Sequence, residues 1–475
     1  MEVSPLPKKK NRLTLYIMVA LLLGIGLGFV LNSGYLAAEN KQLDIIEVKI
    51  ENINQQLHQY PDTASAMHHR LAAERNAIKK ERTLVMAARE KKVEPFSILA
   101  DVFLRLIKMI VAPLVFSTLV VGVAKVGDIK AVGRIGGKTL LWFLAASWMS
   151  LFLGMVLVNL FKPGIAMHLP VPETGEDTGI QRVGFTLKEF LHHVFPASIV
   201  ESMSTNEILQ IVVFSIFFGI ATAAIGEQGK IIIKAFDAIS HVILKITGYV
   251  MNLAPLAVFG AMTAIIAKQG IGILKTYSIF IGEFYLGLLL LWLMLNVAGV
   301  LIVGKRILTL MQRIKEPVLL AFSTASSEAA FPQTMEELQK FGCKDKIVSF
   351  VLPLGYSFNL DGSMMYMTFA SLFIAQSYNI HLDFGTQLSM LFVLMLTSKG
   401  IAGVPRASLV VIAGTLASFK IPEAGLALLL GIDPLLDMGR SATNVVGNSI
   451  ATAVVSKWEK AMEHPHTESE YIKQA

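Results

Sequence analysis

The chain carries a single cysteine, Cys343, in 475 residues, and only 16% of its residues are charged. A lone thiol excludes an internal disulfide framework and leaves no thiolate cluster for a metal. Charge this sparse, beside 54% hydrophobic residues and a mean hydropathy of +0.59, excludes a soluble protein of this length. Catalytic and nucleotide signatures are missing too. There is no H-E-x-x-H, and the tempting GGKT at Gly136 to Thr139 follows Val132 where a phosphate-binding loop requires glycine. No intramembrane enzyme chemistry is expected, because the two aspartates on unwound or polar helices of the C-terminal third lie beside an arginine that would hold at least one of them ionised.

What is present is a series of apolar segments, so the chain reads as a polytopic membrane protein. The net charge of +7 calls for no nucleic acid, since Lys and Arg gather in short loops as the positive-inside rule expects. Lys8, Lys9, Lys10 and Arg12 precede the first span, near 13–32, and place the N-terminus in the cytoplasm. That run is longer than a signal-peptide core and is expected to be retained. A segment near 37–97 follows in which acids and bases nearly balance. Leu43, Ile46, Ile50, Ile53 and Leu57 form a heptad seam there, Pro61 breaks it, and Leu71, Ile78 and Val85 recur every seven residues. This spacing predicts an extramembrane helical hairpin, with a solvated, partly helical loop as the alternative. Spans are expected near 98–124, 138–161, 207–225, 235–267 and 272–303, with the basic residues between them on one side. His192 and His193 lie in a loop and make a weak metal signal.

From residue 308 onward every apolar segment is interrupted. In VLLAFSTASSEAAFP an apolar arm meets Ser326, Ser327 and Glu328 before Pro332 opens a second arm. Neither arm has the roughly 20 residues of a full crossing, so a re-entrant hairpin is predicted. Asn359, Asp361 and Gly362 interrupt the next span, where unwound carbonyls could coordinate a cation. Ser398, Gly400, Gly403 and Pro405 mark the tip of a second hairpin. Last comes DPLLDMGRSATNVVGN, in which Asp433, Asp437, Arg440, Ser441, Asn444 and Asn448 recur at three or four residues and share one helix face. An ionisable group at membrane depth marks a substrate or ion site by default. The plain alternative is an Asp437–Arg440 ion pair that only ties helices together.

With these motifs on the page, ASSEAAFP, NLDGS, GIAGVP and DMGRSATNVVGN, the chain resembles the dicarboxylate/amino acid:cation symporter family, the glutamate transporter homologues. The resemblance implies an all-α fold of eight transmembrane helices plus two re-entrant hairpins, a homotrimer and an elevator motion. On that reading residues 1–36 hold the cytoplasmic N-terminus and span 1, and 37–97 a periplasmic helical insertion. Spans 2 to 4 occupy the scaffold at 98–234, and spans 5 and 6 the stretch 235–303. The transport core is 304–457, followed by a cytoplasmic tail at 458–475.

The resemblance assigns substrate binding to Arg440, Asp437, Asn444, Ser326, Ser327, Ser441, Ala402, Gly403 and Val404. Arg440 would pair with a side-chain carboxylate through its planar fork. Asp437 would receive an α-amino group, which favours glutamate or aspartate over a plain C4-dicarboxylate. Coupling residues would be Asn359, Asp361, Gly355, Ser357, Ser398, Asn448, Asp433 and Glu328, with Gly355, Asn359, Asn444 and Asn448 as candidates for a sodium ion. Asn448 stands where many sodium-coupled members carry aspartate, and Phe143 and Ala146 replace a Tyr and Thr, leaving Ser147. A missing carboxylate weakens sodium binding most, so these departures point to protons. Met367 occupies the place of a proton-carrying glutamate in some relatives, leaving Glu328 and Asp361 as carriers; Glu328 could equally be a hydrogen-bonded tip residue. The expected function is inner-membrane symport of acidic amino acids driven by H+, Na+ or both, without cofactor. A C4-dicarboxylate symporter and an anion-conducting channel are the alternatives.

Overall fold

The computed structural model describes residues 13–59, 65–126, 129–167, 171, 191–192, 194–270, 277–398 and 407–463. They are nearly all helical, with no strand among the described residues. The chain forms two compact units, one of residues 1–103 with 254–275 and the other of residues 104–253 with 276–475.

In the first unit, α1 (Leu13–Val30) ends in a wider turn, Leu31–Tyr35, and leads to α2 (Ala37–Gln59) and the first part of α3 (Ala66–Val126). α2 and α3 form a helical hairpin whose inner seam buries Leu43, Ile46, Ile53, Leu57 and Leu71. Its arms are joined along their length by Arg82–Glu47 at 3.2 Å and Lys92–Glu39 at 2.6 Å. The Lys92 hydrogen bond holds the Glu39 carboxyl below the usual range. Exposed pairs of this kind set register more than stability. One 61-residue helix carries both the outer arm and the span expected near 98–124, running on through Pro95 and Pro113; prolines are tolerated inside membrane helices where neighbouring groups satisfy the freed carbonyls. α1 packs on α9 (Ala254–Gln269) through Gly24 and Gly28. A Cβ at either would lie 2.8 Å from a backbone carbonyl of α9, so the small-residue spacing lets two membrane helices meet at their backbones.

The second unit contains α4 (Ile129–Phe161), the single turn α5 (Pro163–Ala166), α6 (Ile199–Thr205), α7 (Ile208–Ala224) and α8 (Glu227–Met251). Beyond α9 it continues with α10 (Ser278–Val303), α11 (Arg306–Arg313), α12 (Lys315–Thr324), α13 (Phe331–Phe341), α14 (Asp345–Phe358) and α15 (Asp361–Ser377). It ends with α16 (Phe384–Thr397), α17 (Ala407–Ser418), the turn α18 (Ala427–Leu430) and α19 (Asp433–Trp458). α19 is the axis of this unit and is enclosed by α4, α10, α12, α14 and α15.

Among the described residues four helices are long and apolar enough to cross a membrane, or five if the broken pair Glu227–Met251 and Ala254–Lys268 counts as one span. α14, α15 and α19 fall outside that set because polar residues interrupt or shorten their apolar runs, which is the property that makes them candidates for the site.

Just beyond α19, outside the membrane-spanning segments, Glu459 closes a clasp onto the start of α4. Arg134 donates to it through Nε at 3.1 Å and Nη2 at 2.9 Å, and Lys138 Nζ at 2.7 Å. The Arg134 hydrogen bond, more than the Lys138 contact, holds the Glu459 carboxyl below the usual carboxylate range. A depressed carboxylate stabilises the fold above its ordinary pKa, and that contribution is lost as pH falls through the lowered value. Acidification is therefore expected to release Trp458 from its edge contact with Trp142, 5.9 Å away. Tryptophan emission followed against pH checks this: the acid transition should vanish in Glu459→Gln.

Candidate functional site

The first interrupted segment folds as two short arms, α12 and α13. α12 stops at Ala325, whose φ of 49° is left-handed, and Ser326 N donates back to Ala321 O at 3.1 Å. Ser326 Oγ then accepts from Ala329 N at 3.3 Å, and Glu328 opens a single 3-10 turn before Pro332 starts α13. Gln333 bonds Glu316 at 3.0 Å across the arms. Ser326, Ser327 and Glu328 are half-buried at the tip.

The second interruption breaks a span at Asn359 and Leu360, between α14 and α15, and lays it against α19. Two polar centres result. At the first, Arg440 Nη2 meets Asp433 Oδ1 at 3.0 Å and Asp437 Oδ1 at 2.9 Å. The guanidinium lies over the Tyr366 ring, 4.1 Å from its centroid, and the Tyr366 hydroxyl donates to Asp433 at 3.1 Å. One nitrogen thus carries both aspartates. Nε and Nη1 are buried with no partner among the described residues. The two aspartates differ: the Asp433 side chain is 6% exposed and that of Asp437 40%.

At the second centre, Asn359 Nδ2 donates to Asp361 Oδ2 at 3.0 Å and to Asn448 Oδ1 at 3.2 Å. Ser150 of α4 donates to Asp361 Oδ1 at 3.4 Å. Asn359 Oδ1 and Ser357 Oγ are buried oxygens without a partner among the described residues, and such oxygens suit a small hard cation. No group of three or more His, Cys, Asp or Glu gathers among the described residues, so neutral oxygens and the Asp361 carboxylate would have to make any cation site. The close approach demands glycine on both sides. A Cβ at Gly447 would fall on the Asp361 carboxylate, and one at Gly355 on the Asn448 amide oxygen.

Asn444 lies between the centres. Its Oδ1 accepts from Gly362 N at 2.9 Å and Ser363 N at 3.4 Å, and its Nδ2 donates to Ser363 Oγ at 3.3 Å. It caps α15, so part of its amide is committed to holding the broken span in place. Ser441 is buried. Ser398 is buried at the end of α16, its hydroxyl donating to Met395 O at 3.0 Å. Asp433, which the resemblance groups with the coupling residues, meets Arg440 as a counter-ion, one helix turn before Asp437 on the same face. Ala402, Gly403 and Val404 lie outside the described residues, as do Lys399, Gly400, Pro405, Arg406 and His193.

Residues 13–458 match the model of the sodium:dicarboxylate symporter family. The chain belongs to that family. It is thus a secondary transporter and not an enzyme. It is 43% identical over 370 residues to the "Proton/sodium-glutamate symport protein" of Bacillus caldotenax, covering 76% of this chain and 87% of the relative. It is 42% identical over 372 residues to the "C4-dicarboxylate transport protein" of Geobacter sp. (strain M21), covering 77% and 84%. The corresponding protein of Bacillus subtilis (strain 168) is 39% identical over 374 residues, covering 78% and 88%.

Several residues that the structure brings to this candidate site have little or no signal in the sequence. Tyr366 has a faint signal, being the one phenol in α15, and a buried tyrosine hydroxyl needs a partner. Ser150 follows Phe143 by seven residues and Ala146 by four, on the face of α4 already singled out. Trp292, which donates to Thr443 Oγ1 at 2.8 Å, and Tyr285, which donates to Leu435 O at 2.6 Å, brace α19 from α10. Nothing in their local sequence marks them.

Proposed function

We propose that this symporter takes up acidic amino acids, glutamate or aspartate, across a bacterial inner membrane with protons as the coupling ion. The observation that carries the reading is the Arg440 fork. Two aspartates and the Tyr366 ring fix the guanidinium, while Nε and Nη1, on different edges of the group and without a partner among the described residues, are each left to donate one charge-assisted hydrogen bond to a substrate carboxylate. Asp437, half-open beside it, supplies an anion for a substrate ammonium. Ser326 and Ser327 at the hairpin tip, with Asn444 and Ser441, complete the substrate residues of this reading, and 402–404 would close it from the second tip. Asn359, Asp361, Ser357, Gly355 and Asn448 form the coupling centre. The full arrangement is eight spans and two hairpins in a homotrimer with both termini cytoplasmic, working by an elevator motion.

A second reading, C4-dicarboxylate symport, is favoured by the names of several relatives. Both are tested by uptake of labelled L-aspartate into proteoliposomes under an imposed proton or sodium gradient, with unlabelled competitors. Competition by L-glutamate together with weak competition by succinate supports the first reading. Succinate competing as strongly as L-aspartate, or labelled succinate accumulating faster, replaces it with the second. Accumulation driven by sodium alone overturns the proton assignment and leaves the substrate assignment standing.

A further inference from the structure

A cavity of about 250 Å³ lies where the ends of α4, α15 and α16 meet. Its walls are fixed. Asn159 and Gln387 join α4 to α16 by reciprocal hydrogen bonds: Asn159 Nδ2 donates to Gln387 Oε1 at 2.6 Å and Gln387 Nε2 donates to Asn159 Oδ1 at 3.4 Å. Gln376 of α15 donates to Val158 O at 2.9 Å and accepts from Gly164 N at 3.3 Å. Gly164 is required there, since a Cβ would meet the Gln376 Cβ at 2.6 Å. With the amides engaged, the charge of the lining is carried by Lys162 and, when protonated, His381, and no carboxylate lines the cavity. Neither cation forms an ion pair among the described residues. The nearby Asp383 carboxylate is occupied as the cap of α16, accepting from Thr386 N at 2.7 Å.

Two further observations narrow the ligand. Lys162 and Asn379, both in the lining, have left-handed φ values of 52° and 54°, and non-glycine strain of this kind persists where the surrounding structure requires it. The remaining lining is apolar, Ile165, Leu372 and Leu382 among it. Leu160, Ile165 and Phe384, on the elements that form the cavity, are 69%, 44% and 63% exposed. In a membrane protein such side chains face acyl chains, and a long basic side chain at a helix end lays its stem along them while its charge meets the headgroup level. A soluble anion would gain nothing from the apolar wall.

We propose that this cavity binds the anionic headgroup and first methylenes of a membrane lipid, with Lys162 and His381 on the phosphate. The site is separate from the Arg440 and Asp361 centres, and the proposal does not depend on which acid is transported. The test uses the full-length protein purified in detergent, with thermal unfolding and native mass spectrometry in the presence of phosphatidylglycerol, phosphatidylcholine, inorganic phosphate or L-aspartate. Phosphatidylglycerol is expected to raise the unfolding temperature and remain bound, phosphatidylcholine to do neither. The shift is expected to fall by at least half in Lys162→Asn, which keeps a residue tolerant of positive φ, and to survive in Lys162→Arg. Equal effects of the two lipids, or an undiminished shift in Lys162→Asn, overturn the proposal. Displacement of phosphatidylglycerol by millimolar phosphate or L-aspartate would make the cavity a soluble-anion site and overturn the lipid assignment.

Discussion

Arg440→Ala is expected to abolish saturable uptake of labelled L-aspartate. The guanidinium is the only cation on the polar face of α19 running from Asp433 to Asn448, and its removal strands Asp433, buried at 6% exposure, beside any carboxylate that enters. Truncating one partner of a buried, hydrogen-bonded charge pair between binding partners costs about 2–5 kcal/mol, which is a loss of about 30-fold or more in affinity at about 1.4 kcal/mol per decade. Loss of folding would imitate this result, so Arg440→Lys is the companion variant. It keeps a positive charge for Asp433 but not the planar fork, and should fold, stack poorly on Tyr366 and recover only a small part of the uptake. Wild-type uptake in Arg440→Lys would show that charge alone suffices and would remove the argument from the separate donors of the guanidinium. Uptake unaffected in Arg440→Ala would remove the proposed substrate site.

The second large effect is expected at Gly447. Here α19 passes so close to the start of α15 that a Cβ would occupy the position of the Asp361 carboxylate. The oxygen displaced is the one that accepts from Asn359 at 3.0 Å. Overpacking a tight core costs about 1–3 kcal/mol, and in this place the cost falls on the coupling centre rather than on filler side chains. Gly447→Val should therefore reduce gradient-driven accumulation at least ten-fold, while exchange of internal for external substrate, which needs no net movement of the coupling ion, is reduced less. Equal loss in both modes would mean that Asp361 is merely structural. Unchanged accumulation would mean that α15 can yield, and that the contact between Gly447 and Asp361 is not essential to coupling.

Much of the site was legible before any coordinates. Arg440 stood out because ionisable groups are rare in apolar helices, and Asn359 and Asp361 because an interrupted span needs a reason. The heptad seam from Leu43 to Leu57 was equally readable, since burial of one face follows directly from spacing. Continuity and partnership were not legible. The 61-residue α3 joins the hairpin arm to a span and runs through Pro95 and Pro113, because a proline ends a helix only where the surrounding structure leaves its freed carbonyl unsatisfied. Spacing puts Asp433 on the face shared by Asp437 and Arg440 but says nothing of which neighbour it meets.

By itself the sequence determined that this is a helical membrane transporter with a charged stripe on one late helix, two short-armed interruptions and a broken span. Those are local properties, carried by hydropathy and by the three- and four-residue spacing of a helix. Only the tertiary structure decided that Tyr366 reaches Asp433 across 67 residues and that Ser150 reaches Asp361 across 211. Only it showed that Arg440 binds both aspartates through one nitrogen. Such contacts depend on the approach of separate helices, which glycines at 355 and 447 permit, and no local periodicity encodes which helices will meet.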